Sequence, residues 1–247
     1  MKPTEFRKIK GIVFDLDDTL YPQVAYKRSG FQVVSTWVAE QFNMDASRVQ
    51  TELEAILNHY GPSYPHMFDR LVERLGIGIG FVERLVRLFI DHDPRICCYD
   101  GVIPMLSRLR EKYLLGILTD GRYAVQRKKI KALGLDTRVD HILCSDALGL
   151  EKPDSRLFDW FEKKFQLAGW NLMYVGDNIE KDFYGANIRG WTTVMVRTTQ
   201  PMSSSISASY VPQVAIQAVL DLDSIFRYDW DDGDHSLVPK GKHGVYA

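Results

Sequence analysis

The stretch GIVFDLDDTLYP, residues 11–22, closes an apolar run with Asp15, Asp17 and Asp18. Carboxylates this close raise one another's pKa values unless a positive charge or good solvation meets them. Three more places supply matching chemistry. Thr119-Asp120-Gly121 closes a second apolar run, Lys152 stands in SDALGLEKPD after a third, and Gly176-Asp177-Asn178 closes a fourth, with Asp182 five residues past Asp177. Such a set suits a hard divalent cation beside an oxyanion. Mg²⁺ fits because it takes oxygen ligands and keeps several waters. No His or Cys lies in these segments at ligand spacing, Cys144 standing alone, so no softer metal is indicated. A magnesium ion with one lysine is built to receive a phosphoryl group, whose transfer depends on positioning and charge compensation. One aspartate can attack phosphorus and carry it as an aspartyl-phosphate. Another, two positions on, can protonate the leaving oxygen and later activate water.

These groups work together only if the elements carrying them end at one edge. From Asp100 onward, apolar runs alternate with amphipathic helices: PMLSRLREKY before LLGILTDG, YAVQRKKIKALG before VDHILCSD, DSRLFDWFEKKF before NLMYVGDN, and KDFYGANIRG before WTTVMVR. That alternation marks βαβ units on a parallel sheet. Strand ends in such a sheet share the edge where ligands bind. The first strand, about residues 10–16, joins it. Between this strand and the rest, SRVQTELEAILNHYG, HMFDRLVERLG and FVERLVRLFIDHDP carry apolar residues at helical spacing. The expected fold class is therefore α/β, a Rossmann-like parallel sheet core with an inserted α-helical cap. Residues 1–20 and 95–228 form the core and 21–94 the cap. Ser-rich QPMSSSISASY (200–210) reads as a mobile link to a last helix, VPQVAIQAVLDLDSIF, and 229–247 as a polar, poorly ordered or surface-wrapped tail.

The four motifs, in this order and at these strand ends, resemble the haloacid dehalogenase superfamily of phosphohydrolases over roughly residues 9–197. DLDDT resembles its first motif, Thr119 in TDG its second, Lys152 in EKPD its third and GDNIEKD its fourth. The cap between first and second motifs matches the subfamily with a helical lid, similar to phosphoglycolate phosphatases and nucleotidases. The resemblance implies Asp15 as nucleophile and Asp17 as acid/base. It implies Mg²⁺ held by Asp15, the main-chain carbonyl of Asp17 and Asp177, with Asp182 in or just behind that shell. Thr119 would bind a phosphoryl oxygen, and Lys152 would neutralise charge and orient Asp15. Asp120 and Gly121 complete the substrate-binding turn, Asp120 without a catalytic role. The lid would exclude water and read the leaving group. The implied function is a Mg²⁺-dependent phosphatase on a small phosphomonoester. A sugar-phosphate mutase and a silent binding or scaffold protein on the same fold are the alternatives. Dehalogenases of this fold lack the acid that Asp17 supplies, because a halide needs no proton.

Other residues carry plainer readings. Asp18 reads as a turn residue; Asp120 could cap the following helix, and Pro153 suits a first helical turn. Asn178 tunes the site by hydrogen bonding. Tyr21, Lys27 and Arg28 face either the crevice or solvent, and Arg122 could touch substrate. Phe31, Val34, Trp37 and Val38 read as lid core, while Asp91-His92-Asp93 is a hinge rather than a metal site. With 247 residues and net charge −1, no field recruits nucleic acid or an anionic membrane. No apolar run reaches the roughly 18–20 residues of a bilayer span, and the first residues lack the apolar core of a secretory signal. Adjacent Cys97 and Cys98 are expected reduced and partly buried, which points to the cytoplasm. The expected partner is a small phosphorylated metabolite, the assembly a monomer or homodimer.

Overall fold

The structure is a computed structural model that describes Phe6 and residues 8–196, 207–226 and 245–246. Its strands and helices are, in chain order, β1 (Gly11–Phe14), α1 (Gln23–Phe42), α2 (Ala46–Tyr60), α3 (Met67–Leu75), α4 (Val82–Asp91), α5 (Val102–Leu109), β2 (Leu114–Thr119), α6 (Tyr123–Ala132), β3 (His141–Cys144), α7 (Ser155–Phe165), β4 (Leu172–Gly176), α8 (Tyr184–Asn187), β5 (Thr192–Val196), β6 (Val214–Ile216), α9 (Leu222–Phe226) and β7 (Val245–Tyr246). The chain divides into two compact units, Met1–Pro22 with Cys98–Ala247, and Gln23–Cys97.

In the first unit the strands form one sheet in the order β6-β5-β4-β1-β2-β3-β7. Every pairing is parallel. Strands buried on both faces need continuous apolar runs, and GIVF, LMYVG and TTVMV are buried throughout. One face carries α7 and α8, whose Leu157, Phe158, Phe161 and Ala186 pack with Val13, Tyr174 and Trp191. The chain leaves β1 towards β2 and β3, then returns to build β4, β5 and β6 on the other side. The crevice between such diverging connections is where open sheets bind ligands.

In the second unit, the apolar faces of α1 to α4 share a core of their own. Phe31, Val34, Val38, Val49, Leu53, Ile56, Leu57, Met67, Phe68, Leu71, Val72, Leu75 and Leu85 are buried in it, with Trp37 and Phe89 half-buried alongside. The ionic pairs recorded here, such as Arg28–Glu54 and Arg70–Glu73, lie at the surface.

Two expectations need correction. VPQVAIQAVLDLDSIF does not form one helix: Val214–Ile216 pairs with β5, and only Leu222–Phe226 is α-helical. Three apolar-rich residues carry too short a period to choose a state, and the open edge of β5 supplied a partner. Pro153 does not enter a first turn; α7 starts at Ser155, its cap the Asp154 carboxylate, which accepts the Arg156 N–H. Residues 200–206 of the Ser-rich stretch, and the tail from 229 to 244 with Ala247, lie outside the described residues. Val245–Tyr246 extends the sheet beside β3. Among the described residues no helix is long and apolar enough to cross a membrane.

Candidate active site

Register brings the motifs together. Phe14 pairs with Ile117 on one side and Val175 on the other, so Thr119 and Asp177 follow on the neighbouring strands one register step beyond Asp15. The Asp15 N–H donates to the Val175 carbonyl at 2.8 Å, which carries the ladder one residue past the strand. The chain then turns sharply. Asp18 adopts a left-handed φ of 57°, tolerated by aspartate, and its N–H donates to the Tyr21 carbonyl at 2.9 Å. The plain turn reading of Asp18 agrees with this geometry. Thr19 sends its hydroxyl to Asp177 at 3.3 Å, tying the first motif to the fourth.

Lys152 is the hub of one charge cluster. Its Nζ donates to Asp15 at 2.5 Å, to Asp182 at 2.6 Å and to the Tyr174 hydroxyl at 3.1 Å. Asp182 is fully buried and also accepts the Asn178 N–H at 2.8 Å. It fits beneath the strand end because residue 176 is glycine; a Cβ there would collide with its carboxyl group. Asp177 completes the group: one oxygen from each of Asp15, Asp177 and Asp182 lies within 4.8 Å of the others.

The charges do not balance. Burial, with the nearby charges of Asp182 and Asp177, drives the Asp15 carboxyl well above its usual range despite Lys152. Burial, Asp182 and Asp18 push Asp177 up to about 7. Burial alone would strip the Lys152 proton, but Asp15 and Asp182 more than offset it and hold the ammonium firmly charged. With all three carboxylates ionised they would exceed the one ammonium by two negative charges. The raised Asp15 and Asp177 carboxyls are how the cluster relieves that excess without a cation. Oxygen donors, short spacing and that surplus fit a divalent cation such as Mg²⁺.

Asp17 does not bring its carboxylate to this group. Lys129 Nζ donates to Oδ1 at 2.7 Å and to Oδ2 at 3.0 Å, Gln126 donates to Oδ2 at 3.0 Å, and the Tyr21 hydroxyl donates to Oδ1. Burial would raise this carboxyl; Lys129 and the three sets of hydrogen bonds outweigh it and hold it below the usual range. Gln126 also donates to the Thr119 hydroxyl.

The remaining candidates divide. Asp120 does not cap α6: its carboxylate accepts the Lys152 N–H at 3.2 Å and thereby braces the lysine loop. The Tyr123 N–H at the start of α6 is met instead by Asp146 at 2.9 Å. Gly121 takes a φ of 120°, open to glycine and strained for other residues. Arg122 is exposed. Arg28 pairs with Glu54, and Lys27 lies over the Phe89 ring within the helical unit. His92 is buried against Tyr26 and Phe89, with no acidic cluster recorded around it among the described residues. Cys97, Cys98 and Cys144 are free thiols, Cys97 exposed rather than partly buried.

Sequence reasoning overlooked Gln126, Lys129 and Tyr174. A signal existed for the first: Gln126 lies one turn before buried Ile130 on α6, so a polar side chain stands on the core-facing side. Lys129 stands in the basic run QRKKIKA, where nothing local sets it apart from its neighbouring lysines.

Residues 9–187 match the family described as haloacid dehalogenase-like hydrolase. The chain belongs to that family. The glyceraldehyde 3-phosphate phosphatase of Methanopyrus kandleri is 30% identical over 196 residues, 76% of this chain and 84% of the relative. The phosphoserine phosphatase of Thermus thermophilus is 32% identical over 145 residues, 58% of each chain. The magnesium-bound HAD-hydrolase YfnB of Bacillus subtilis superposes with a TM-score of 0.63 at 20% identity, covering 88% of this chain and 98% of that one. This structural likeness shows the haloacid dehalogenase-like fold.

Proposed function

We propose that the protein is a Mg²⁺-dependent phosphatase that hydrolyses a small phosphomonoester through an aspartyl-phosphate on Asp15. The observation that carries this reading is the meeting of Asp15, Lys152, Asp177 and Asp182 within one small volume, four residues from three separate strand ends. Asp15, Asp177 and Asp182, with the main-chain carbonyl of Asp17, would hold the metal. When bound, Mg²⁺ neutralises the surplus carboxylate charge and the phosphoryl oxygens.

The chain's own residues do the rest. Lys152 orients the Asp15 carboxylate, which forms a bond to phosphorus as the bond to the leaving oxygen breaks. Asp17, which Lys129, Gln126 and Tyr21 hold ionised in this structure, takes up a proton from solvent before the reaction and gives it to that oxygen. Water then attacks the aspartyl-phosphate, Asp17 takes its proton, and phosphate leaves with Asp15 restored. The Thr119 hydroxyl binds a phosphoryl oxygen, Gly121 shapes the turn beside it, and Asp120 keeps the Lys152 loop in place. The inserted helical unit is the cap that selects the leaving group. Asp17 separates this reading from dehalogenation, which has no leaving oxygen to protonate.

The relatives' names direct the first substrates to glyceraldehyde 3-phosphate and phosphoserine, followed by a broad panel of phosphorylated metabolites. The free thiols fit a reducing compartment such as the cytoplasm. Magnesium-dependent phosphate release that disappears in Asp15→Asn supports the proposal. A well-folded protein releasing no phosphate from any panel member with any divalent metal refutes it. Isomerised sugar phosphate without free phosphate would mark a mutase instead.

A further inference from the structure

We propose that Gln126 and Lys129, three residues apart on α6, are positioning residues that hold Asp17 in register with Thr119 and so set how well the enzyme expels poor leaving groups. This inference rests on the phosphatase reading.

Residues three apart on a helix share a face, and here that face is buried, with Gln126 at 1% and Lys129 at 5% exposure. Apolar side chains would pack there more cheaply, since a buried ammonium or amide must find partners. Both side chains find the same partner. Lys129 spans the two Asp17 oxygens, Gln126 meets Oδ2 and Tyr21 meets Oδ1. A carboxylate held from both oxygens has little freedom to rotate.

Gln126 adds a second link. The end facing Asp17 must be the amide nitrogen, because an ionised carboxylate only accepts. The same nitrogen donates to the Thr119 oxygen. The threonine hydroxyl is thereby left to donate its proton elsewhere, as binding a phosphoryl oxygen requires. One helix turn thus sets the orientation of both the proton donor and the hydroxyl. The helix itself is anchored by Asp146, which accepts the Tyr123 N–H.

The test is a series of phosphomonoesters with alcohols from nitrophenol to a simple alkanol, followed in the first turnover with Mg²⁺ present. Lys129→Met should slow the alkyl ester about 10²-fold and the nitrophenyl ester no more than about threefold, because proton donation matters most for poor leaving groups. Lys129→Arg should restore most of the loss. Gln126→Leu should shift the series in the same direction and weaken inhibition by inorganic phosphate. In an Asp17→Asn background, Lys129→Met should add no more than about twofold, since groups that act as one unit are not additive. That double variant removes both charges of the buried pair, so it keeps the test open if Lys129→Met alone fails to fold. Equal loss across all leaving groups, or a full additional loss in the Asp17→Asn background, overturns the inference. Turnover abolished by Asp15→Asn but untouched by Lys129→Met overturns it alone; turnover that survives Asp15→Asn overturns the phosphatase reading as well.

Discussion

Asp15 and Asp17 sit two residues apart on one turn, and each meets a buried lysine, yet their surroundings are opposite. Lys152 is shared between Asp15 and Asp182, with Asp177 close by, so negative charge is left over. Lys129 donates to both Asp17 oxygens, with neutral donors from Gln126 and Tyr21 beside it on the same carboxylate. The Asp15 carboxyl is accordingly driven up, mainly by burial, whereas Asp17 is held down against its own burial. A carboxylate cluster with surplus charge is a place for a cation. A carboxylate held at both oxygens by several donors is a place where orientation is controlled.

The comparison breaks most sharply at the nucleophile. Asp15→Asn should cut turnover by at least about 10⁴-fold, as loss of a covalent nucleophile does, while circular dichroism and thermal melting show a folded protein. Next comes Asp17→Asn, expected to slow alkyl phosphates about 10²–10⁴-fold and nitrophenyl phosphate much less. Equal losses on both ester classes would remove the distinction between the two aspartates. In urea unfolding without metal, Lys152→Met should cost about 3–5 kcal/mol, because it strands two buried carboxylates. An unchanged midpoint would show that the first cluster does not need its ammonium.

Metal and pH sharpen the contrast further. Asp177 is raised from 3.8 to about 7 by burial, Asp182 and Asp18. A carboxyl raised on folding stabilises the metal-free protein fully below its unfolded pKa and loses that contribution as pH rises through 7. The melting temperature of protein treated with chelator should therefore fall between about pH 4 and 7 and level off above that. Magnesium at a hundred times its dissociation constant should then add about 2.7 kcal/mol at pH 8. A flat profile with no response to magnesium would contradict the charge surplus. The smallest effect belongs to the helical unit: Arg28→Ala removes a solvent-exposed pair with Glu54 and should change stability by about 0–1 kcal/mol.

Much of the fold was legible because its signals are local. The runs ending at Phe14, Thr119, Cys144 and Gly176 are strands whose apolar composition reflects burial on both faces. Helical spacing in Met67, Phe68, Leu71, Val72 and Leu75 likewise marks the buried face of α3. Val214–Ile216 was not legible, since a three-residue edge strand takes its state from the neighbour it pairs with. Among site residues, Asp15, Lys152, Asp177 and Asp182 announce themselves by strand-end position. Tyr174 hides inside an apolar strand, and Lys129 hides in a basic stretch where solvated lysines are the ordinary expectation.

Sequence alone determined which residue types stand at the strand ends and the alternation that must bring those ends to one edge. Both are consequences of chain order and hydrophobic period. Only the tertiary structure decided how the two lysines are distributed among the four carboxylates. That depends on sheet register and on which face of α6 is buried, because charges interact through space and not along the chain.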